Sequence, residues 1–142
     1  PPPAAFWEVI ERAGMRDRVT YLAGVTEAEL VALYQQAAVF ALPSDEEGLG
    51  VVVLEAMSCG VPVVSTRCGG PDGIIRDGID GYLVPLNDTD TLSSHLEELL
   101  ADADLNKQMG RAARQRIEAA FSVDVTARAF LETWDRLLDE VT

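Results

Sequence analysis

Val39-Phe40-Ala41-Leu42-Pro43-Ser44-Asp45-Glu46-Glu47-Gly48-Leu49-Gly50-Val51-Val52-Val53-Leu54-Glu55-Ala56-Met57 reads as a strand, a loop and a helix in direct succession. Val39–Leu42 is wholly apolar, which predicts a strand in the middle of a sheet covered on both faces. Pro43-Ser44 ends it. Gly50 to Cys59 predicts a helix closed by Gly60. Open α/β sheets bind ligands at such places, outside the carboxyl ends of their strands. Gly48 and Gly50 let a backbone approach a ligand closely. The free N–H groups of the first helical turn, with the helix dipole, suit a phosphate. Val51 to Met57 is apolar almost all round, so the helix is expected to be buried. Glu55 interrupts it with no basic residue within a helical turn. An unsatisfied buried carboxylate costs on the order of several kcal/mol, and a ligand offering two hydroxyls, such as a ribose, matches its two acceptor oxygens. From Gly50 to Glu55 the helix rises by roughly 7–8 Å, about the span from a diphosphate to the ribose beyond it. With Glu47 ahead of the helix, the segment traces the outline of a nucleotide-sugar.

Outward from this segment, short β-rich runs alternate with helical stretches, the pattern of a parallel α/β sheet. Residues 4–14 read as a helix and Val19–Leu22 as a strand. Thr26-Glu27-Ala28-Glu29 is a capping box opening a helix with the apolar stripe Leu30, Leu33, Tyr34, Ala37 and Ala38. Val63–Thr66 and Gly81–Val84 are the next strands, separated by Gly69-Gly70 and a short helical turn at Ile74-Ile75. Three helices follow. The first starts near Asp88 with Leu92, Leu96, Leu99 and Leu100 on one face. The second runs from about Asp104 to Ala120 with Leu105, Met109, Ala112, Ala113 and Ile117 inward. The third is capped by Ser122 and is expected to bury Val125, Phe130, Trp134 and Leu137.

The 142 residues fit a single domain. Their 24 acidic against 11 basic side chains give a net charge of −13. That charge disfavours nucleic acid and anionic membrane surfaces as partners. No apolar run approaches the roughly 20 residues that span a bilayer, and Pro1-Pro2-Pro3-Ala4-Ala5 has neither the basic nor the apolar part of a signal peptide. Cys59 and Cys68 are expected to be reduced thiols, in a cytoplasmic protein. One histidine and no Cys-x-x-Cys leave no metal-ligand set.

The segment Pro43 to Val64, with its Glu-x7-Glu spacing from Glu47 to Glu55, resembles the donor-site signature of family-4-type retaining glycosyltransferases of the GT-B fold. The likeness continues through Gly69-Gly70 and Asp77–Val84 and covers about Arg18 to Leu138. It implies a Rossmann-like α/β fold with a parallel sheet and flanking helices, the C-terminal half of a GT-B fold without its first two strands. Residues 1–142 then form one donor-binding domain, incomplete at its N-terminus. The implied reaction transfers a sugar with retention from an NDP-sugar to an acceptor. It uses no bound metal and no cofactor beyond the donor substrate.

By position, Glu47 is the implied catalytic residue and contacts hydroxyls of the transferred sugar. Backbone amides of Gly48, Leu49 and Gly50 contact sugar and phosphate, and Glu55 takes the ribose. Gly24 and Val25 border the base. The family also supplies an Arg and a Lys from an upstream loop, and an N-terminal domain that binds acceptor. Neither is in this sequence, so the implied partner is a missing half or another chain. Any peripheral membrane association would come through that absent domain, and this chain alone is expected to be inactive. One departure is Gly73, where the family commonly has a Glu. The strand order 3-2-1-4-5-6 makes Val19–Leu22 strand 3 and Val39–Leu42 strand 4, with a gap of about 14 Å between them.

Blander readings stand beside these. The chain could be a non-catalytic nucleotide or nucleotide-sugar binding module. Asp45-Glu46-Glu47 could simply solubilise a turn, and Gly69-Gly70 could be plain turn chemistry. His95 reads as a surface residue without a partner. Lys107, Arg111, Arg114 and Arg116 read as a solvated helix face. Cys59 reads as apolar filler, Phe130 and Trp134 as core, and Trp7 has no assignment.

Overall fold

A computed structural model describes residues 2–140. The chain divides into two compact units, Pro1–Leu30 and Val31–Thr142. The first holds helix α1 (Ala4–Arg12), a 3-10 turn at Arg16–Arg18, and the start of helix α2 (Glu27–Gln36). None of its described residues is buried. The Arg16 guanidinium lies over the Trp7 ring at 4.2 Å. The capping box of α2 forms as read: Thr26 donates its amide and its hydroxyl to Glu29 Oε2, each at 2.7 Å. Those bonds hold the Glu29 carboxyl below its usual range. The expected strand Val19–Leu22 does not form. The segment joins no ladder, and Tyr21 and Leu22 are exposed. A strand is defined by its partner, and local β-propensity supplies none.

The second unit is built on a parallel sheet of three strands in the order β1 (Phe40–Leu42), β2 (Val63–Thr66), β3 (Gly81–Val84). Every residue of β2 is buried, as a strand flanked on both sides must be. The apolar run at Val39–Leu42, expected in mid-sheet, supplies an edge strand with Ala41 exposed. The gap expected between it and Val19–Leu22 has no counterpart, because only one of the two is a strand.

Helix α3 (Val51–Ser58) follows β1, the short helix α4 (Gly70–Ile74) follows β2, and α5 (Thr89–Ala101) follows β3. Two long helices complete the unit, α6 (Ala103–Ala120) and α7 (Val123–Asp139). Val64, Val84, Leu99 and Met109 form a core cluster, with Leu92, Leu96 and Leu105 packed on it. Leu100, expected on that stripe, is exposed. A Cβ at Gly110 would collide with the Gly60 carbonyl oxygen, so α6 lies directly on the end of α3. Asn106 Nδ2 donates to the carbonyls of Ala38, at 2.8 Å, and Leu99, at 3.1 Å.

Helix α7 departs from expectation. It has no buried residue, Phe130 is 67% exposed and Trp134 55%. The two rings stack on each other, centroids 6.4 Å apart. Its apolar face is real, but no described residue buries it.

Candidate functional site

The site begins where β1 ends. Thr66 Oγ1 donates to the carbonyl of Ser44 at 2.5 Å and lies 3.3 Å from that of Leu42. The chain leaving β1 is thereby tied to the neighbouring strand. Glu47 then pairs with the segment after β2: its N–H donates to the Cys68 carbonyl at 2.8 Å, and its own carbonyl accepts from Gly70 N–H at 2.7 Å. The approach is closer than a side chain would allow. A Cβ on Gly69 would stand 2.8 Å from the Glu47 oxygen, and one on Gly70 2.5 Å from the Leu49 oxygen. Gly69-Gly70, weighed as plain turn chemistry, therefore forms the bed on which the loop 47–49 rests.

Gly50 turns the loop into the helix. Its φ of 80° is in the left-handed region, which only glycine enters freely. From there α3 rises, with Val53 and Leu54 N–H bonded back to the Gly50 carbonyl. The amides of Val51 and Val52 have no partner among the described residues. Two donors at a helix start, with the dipole behind them, favour an anion. The Gly50 amide is already engaged, donating to Glu47 Oε1 at 3.3 Å. Glu47, Gly48, Leu49, Gly50 and Glu55 thus share one continuous loop and helix. Gly24 and Val25 belong to the other unit, in the loop before α2, where Gly24 has a φ of 65°.

Two expectations for α3 need correction. Val53, Ala56 and Met57 are buried, but Val51 is 51% exposed. In that first turn Val52 and Leu54 are half-buried and only Val53 is fully buried. Glu55 is half-buried, and it has a protein partner. Tyr34 of α2 donates its hydroxyl to Glu55 Oε2 at 3.1 Å. A tyrosine on a buried stripe needs a hydrogen-bond partner, and that was the signal available in the sequence. Oε1 of Glu55 has no partner among the described residues.

The remaining candidates fall into structural roles. His95 is stacked on Tyr82, ring centroids 3.8 Å apart, with Nδ1 3.3 Å from Glu98. Burial, then the bond to the Glu98 carboxylate, pushes the Tyr82 phenol above its usual pKa. A depression of about 470 Å³ is lined by Lys107, Arg111 and Arg114 around Gly60. It lies at the far end of α3 from the free amides. Arg114 donates to the Ser58 carbonyl and, at 2.6 Å, to Glu118. Cations there complement the negative end of the helix. Arg116 donates to the Ile74 carbonyl at 3.2 Å. These two arginines therefore do more than coat a solvated face. Cys59 and Cys68 are both free. Among the described residues no three His, Cys, Asp or Glu side chains are grouped to hold a metal ion. None of the described helices is long and apolar enough to cross a membrane.

Residues 6–116 match the sequence profile of a family described as "Glycosyl transferases group 1". A D-inositol 3-phosphate glycosyltransferase of Salinispora tropica is 36% identical over 138 residues, 97% of this chain and 28% of that protein. Among solved structures, a sucrose-phosphate synthase from Thermosynechococcus elongatus superposes with a TM-score of 0.86 at 28% identity, over 95% of this chain and 34% of that one. HepE of Anabaena, solved in complex with UDP, gives 0.86 at 25% identity, over 94% and 36%. The chain spans about a third of the length of each.

Proposed function

The chain belongs to the glycosyl transferases group 1 family, and we propose that it is the part of such an enzyme that holds the nucleotide-sugar donor. One observation carries the reading. Between Glu47 and Glu55, a single loop and helix offers unpaired amides at Val51 and Val52, with a carboxylate before them and another about 6 Å along the axis from Val51. Diphosphate, transferred sugar and ribose need those groups in that order. The UDP complex of the Anabaena relative supports a nucleoside diphosphate as the ligand class.

In this reading the amides of Val51 and Val52 receive the diphosphate, and Glu55 Oε1 takes ribose hydroxyls. The Glu47 carboxylate, now resting on the Gly50 amide, is exchanged for sugar hydroxyls as the phosphate claims that amide. Gly48 and Leu49 border the sugar. Charge that develops on the departing diphosphate is met by amides already pointing at it, which cost no reorganisation at the moment of reaction. The transfer is with retention and needs no bound metal. It is proposed for a protein of its relatives' full length, in which the remainder holds the acceptor. This chain by itself binds donor without completing transfer.

The test is the thermal stability of the chain across a panel of UDP-, GDP- and ADP-sugars. Ligand at 100 times Kd adds roughly 2.7 kcal/mol, and Glu55→Gln removes roughly 1.5–3 kcal/mol of that affinity by losing charge-assisted bonds. Equal stabilisation of wild type and Glu55→Gln would falsify the assignment of Glu55.

A further inference from the structure

Tyr34 is the one buried residue of α2, 8% exposed. Its ring meets Phe40 of β1 edge to face, centroids 5.7 Å apart and planes at 70°. Its hydroxyl reaches Glu55 of α3. Two neighbouring elements therefore converge on the side chain that the proposed function assigns to the ribose. The phenol has one proton to donate, and it is spent on Oε2. Burial first, then the bond to Glu55 and its charge, push the phenol up to about 12, so it stays a donor throughout the neutral range.

A glutamate on a helix has three side-chain torsions to freeze when a ligand arrives. One already held by its own protein loses less on binding. Phe40 fixes the Tyr34 ring, the ring fixes the hydroxyl, and the hydroxyl holds one oxygen of Glu55. The other oxygen is left open for a ligand.

We propose that Tyr34 is a positioning residue for donor recognition, holding the Glu55 carboxylate so that Oε1 is presented to the vicinal hydroxyls of the donor ribose. This rests on the reading of Glu55 given above. It adds a specificity: the Tyr34–Glu55 pair distinguishes ribonucleotides from 2′-deoxyribonucleotides.

The experiment is calorimetric titration of the 142-residue chain with UDP, GDP and ADP and their 2′-deoxy counterparts, carried on with whichever base binds. Tyr34→Phe keeps the ring on Phe40 and removes only the O–H. It is expected to weaken the ribonucleotide by about threefold to tenfold and the deoxynucleotide by less, lowering the ribo-to-deoxy preference. With Glu55→Ala in place, the further change Tyr34→Phe is silent. A second variant, Phe40→Leu, keeps the hydroxyl, loosens its aim and lowers the same preference less. It decides the matter should Tyr34→Phe not fold. If Tyr34→Phe melts earlier but keeps the wild-type preference, Tyr34 is structural and the proposal fails while the donor site stands. If the wild-type chain binds none of the nucleotides, the donor site fails, and the role of Tyr34 with it.

Discussion

Helices α6 and α7 follow one another, with 18 and 17 residues, and look alike to any local test. Each has an apolar stripe and a side-chain N-cap: Asp102 accepts from the Leu105 amide at 2.9 Å, and Ser122 from the Val125 amide at 3.4 Å. Yet α6 buries Met109, Gly110, Ala113 and Ile117, whereas α7 buries nothing. The residues at the contact explain how α6 is held. Gly110 lets the helix come down on the Gly60 backbone, and Met109 packs into the core with Val64, Val84 and Leu99. The α7 stripe is bulky, with Phe130, Leu131 and Trp134 standing out from the surface. Amphipathic pattern says which side of a helix wants company. It does not say whether the company is in the same chain.

The contrast can be broken most severely at Gly110. Gly110→Ala drives a Cβ into the Gly60 carbonyl, where no side-chain rotation relieves it. Overpacking costs about 1–3 kcal/mol even where side chains adjust, so a loss of about 3 kcal/mol or more is expected in urea unfolding. A tolerated alanine would mean that close approach does not hold α6.

Next in size is a pH effect that opposes a buried aromatic to the exposed Trp134. The Tyr34 phenol is raised from 10.0 to about 12 in the folded chain. Its contribution to stability is complete below pH 10 and is lost as pH rises through 12. Relative to Tyr34→Phe, wild type is expected to lose roughly 2–3 kcal/mol across that window. Parallel stability curves for the two proteins would show that the phenol is not held as the structure has it.

Asn106→Ala removes two bonds to carbonyls from the half-buried start of α6, for an expected loss of about 1–2 kcal/mol. The smallest effect belongs to α7. Phe130→Ser and Trp134→Ser are expected to change the stability of this chain by no more than about 0.5 kcal/mol each. A loss of about 2 kcal/mol or more from either, the worth of a fully buried side chain, would mean that the apolar face of α7 is covered in solution.

Much of the site was legible because it is local. The strand ending at Pro43, the loop carrying Glu47 and Gly48, and the helix from Gly50 all follow from residues a few positions apart. Their peptide geometry leaves little choice. The start of α5 near Asp88 was equally plain, and there the Thr91 amide and hydroxyl hold the Asp88 carboxyl below its usual range. The errors lie where a distant partner decides. Val19–Leu22 has the composition of a strand and nothing to pair with. Val39–Leu42 has the composition of a central strand and sits at an edge.

The sequence by itself determined the order of elements from Thr26 onward, the helix caps at Thr26 and Ser122, and the spacing that sets two carboxylates on either side of a helix start. These depend on backbone sterics and on bonds spanning three or four residues, so no tertiary structure is needed to read them. Only the tertiary structure decided that Gly69-Gly70 cradles the loop 47–49, that Tyr34 holds Glu55 from 21 positions away, and that α6 is core while α7 is surface. Each of those depends on which faces meet once the chain is compact. Burial and close approach are properties of pairs of surfaces, and a residue pattern describes only one member of each pair.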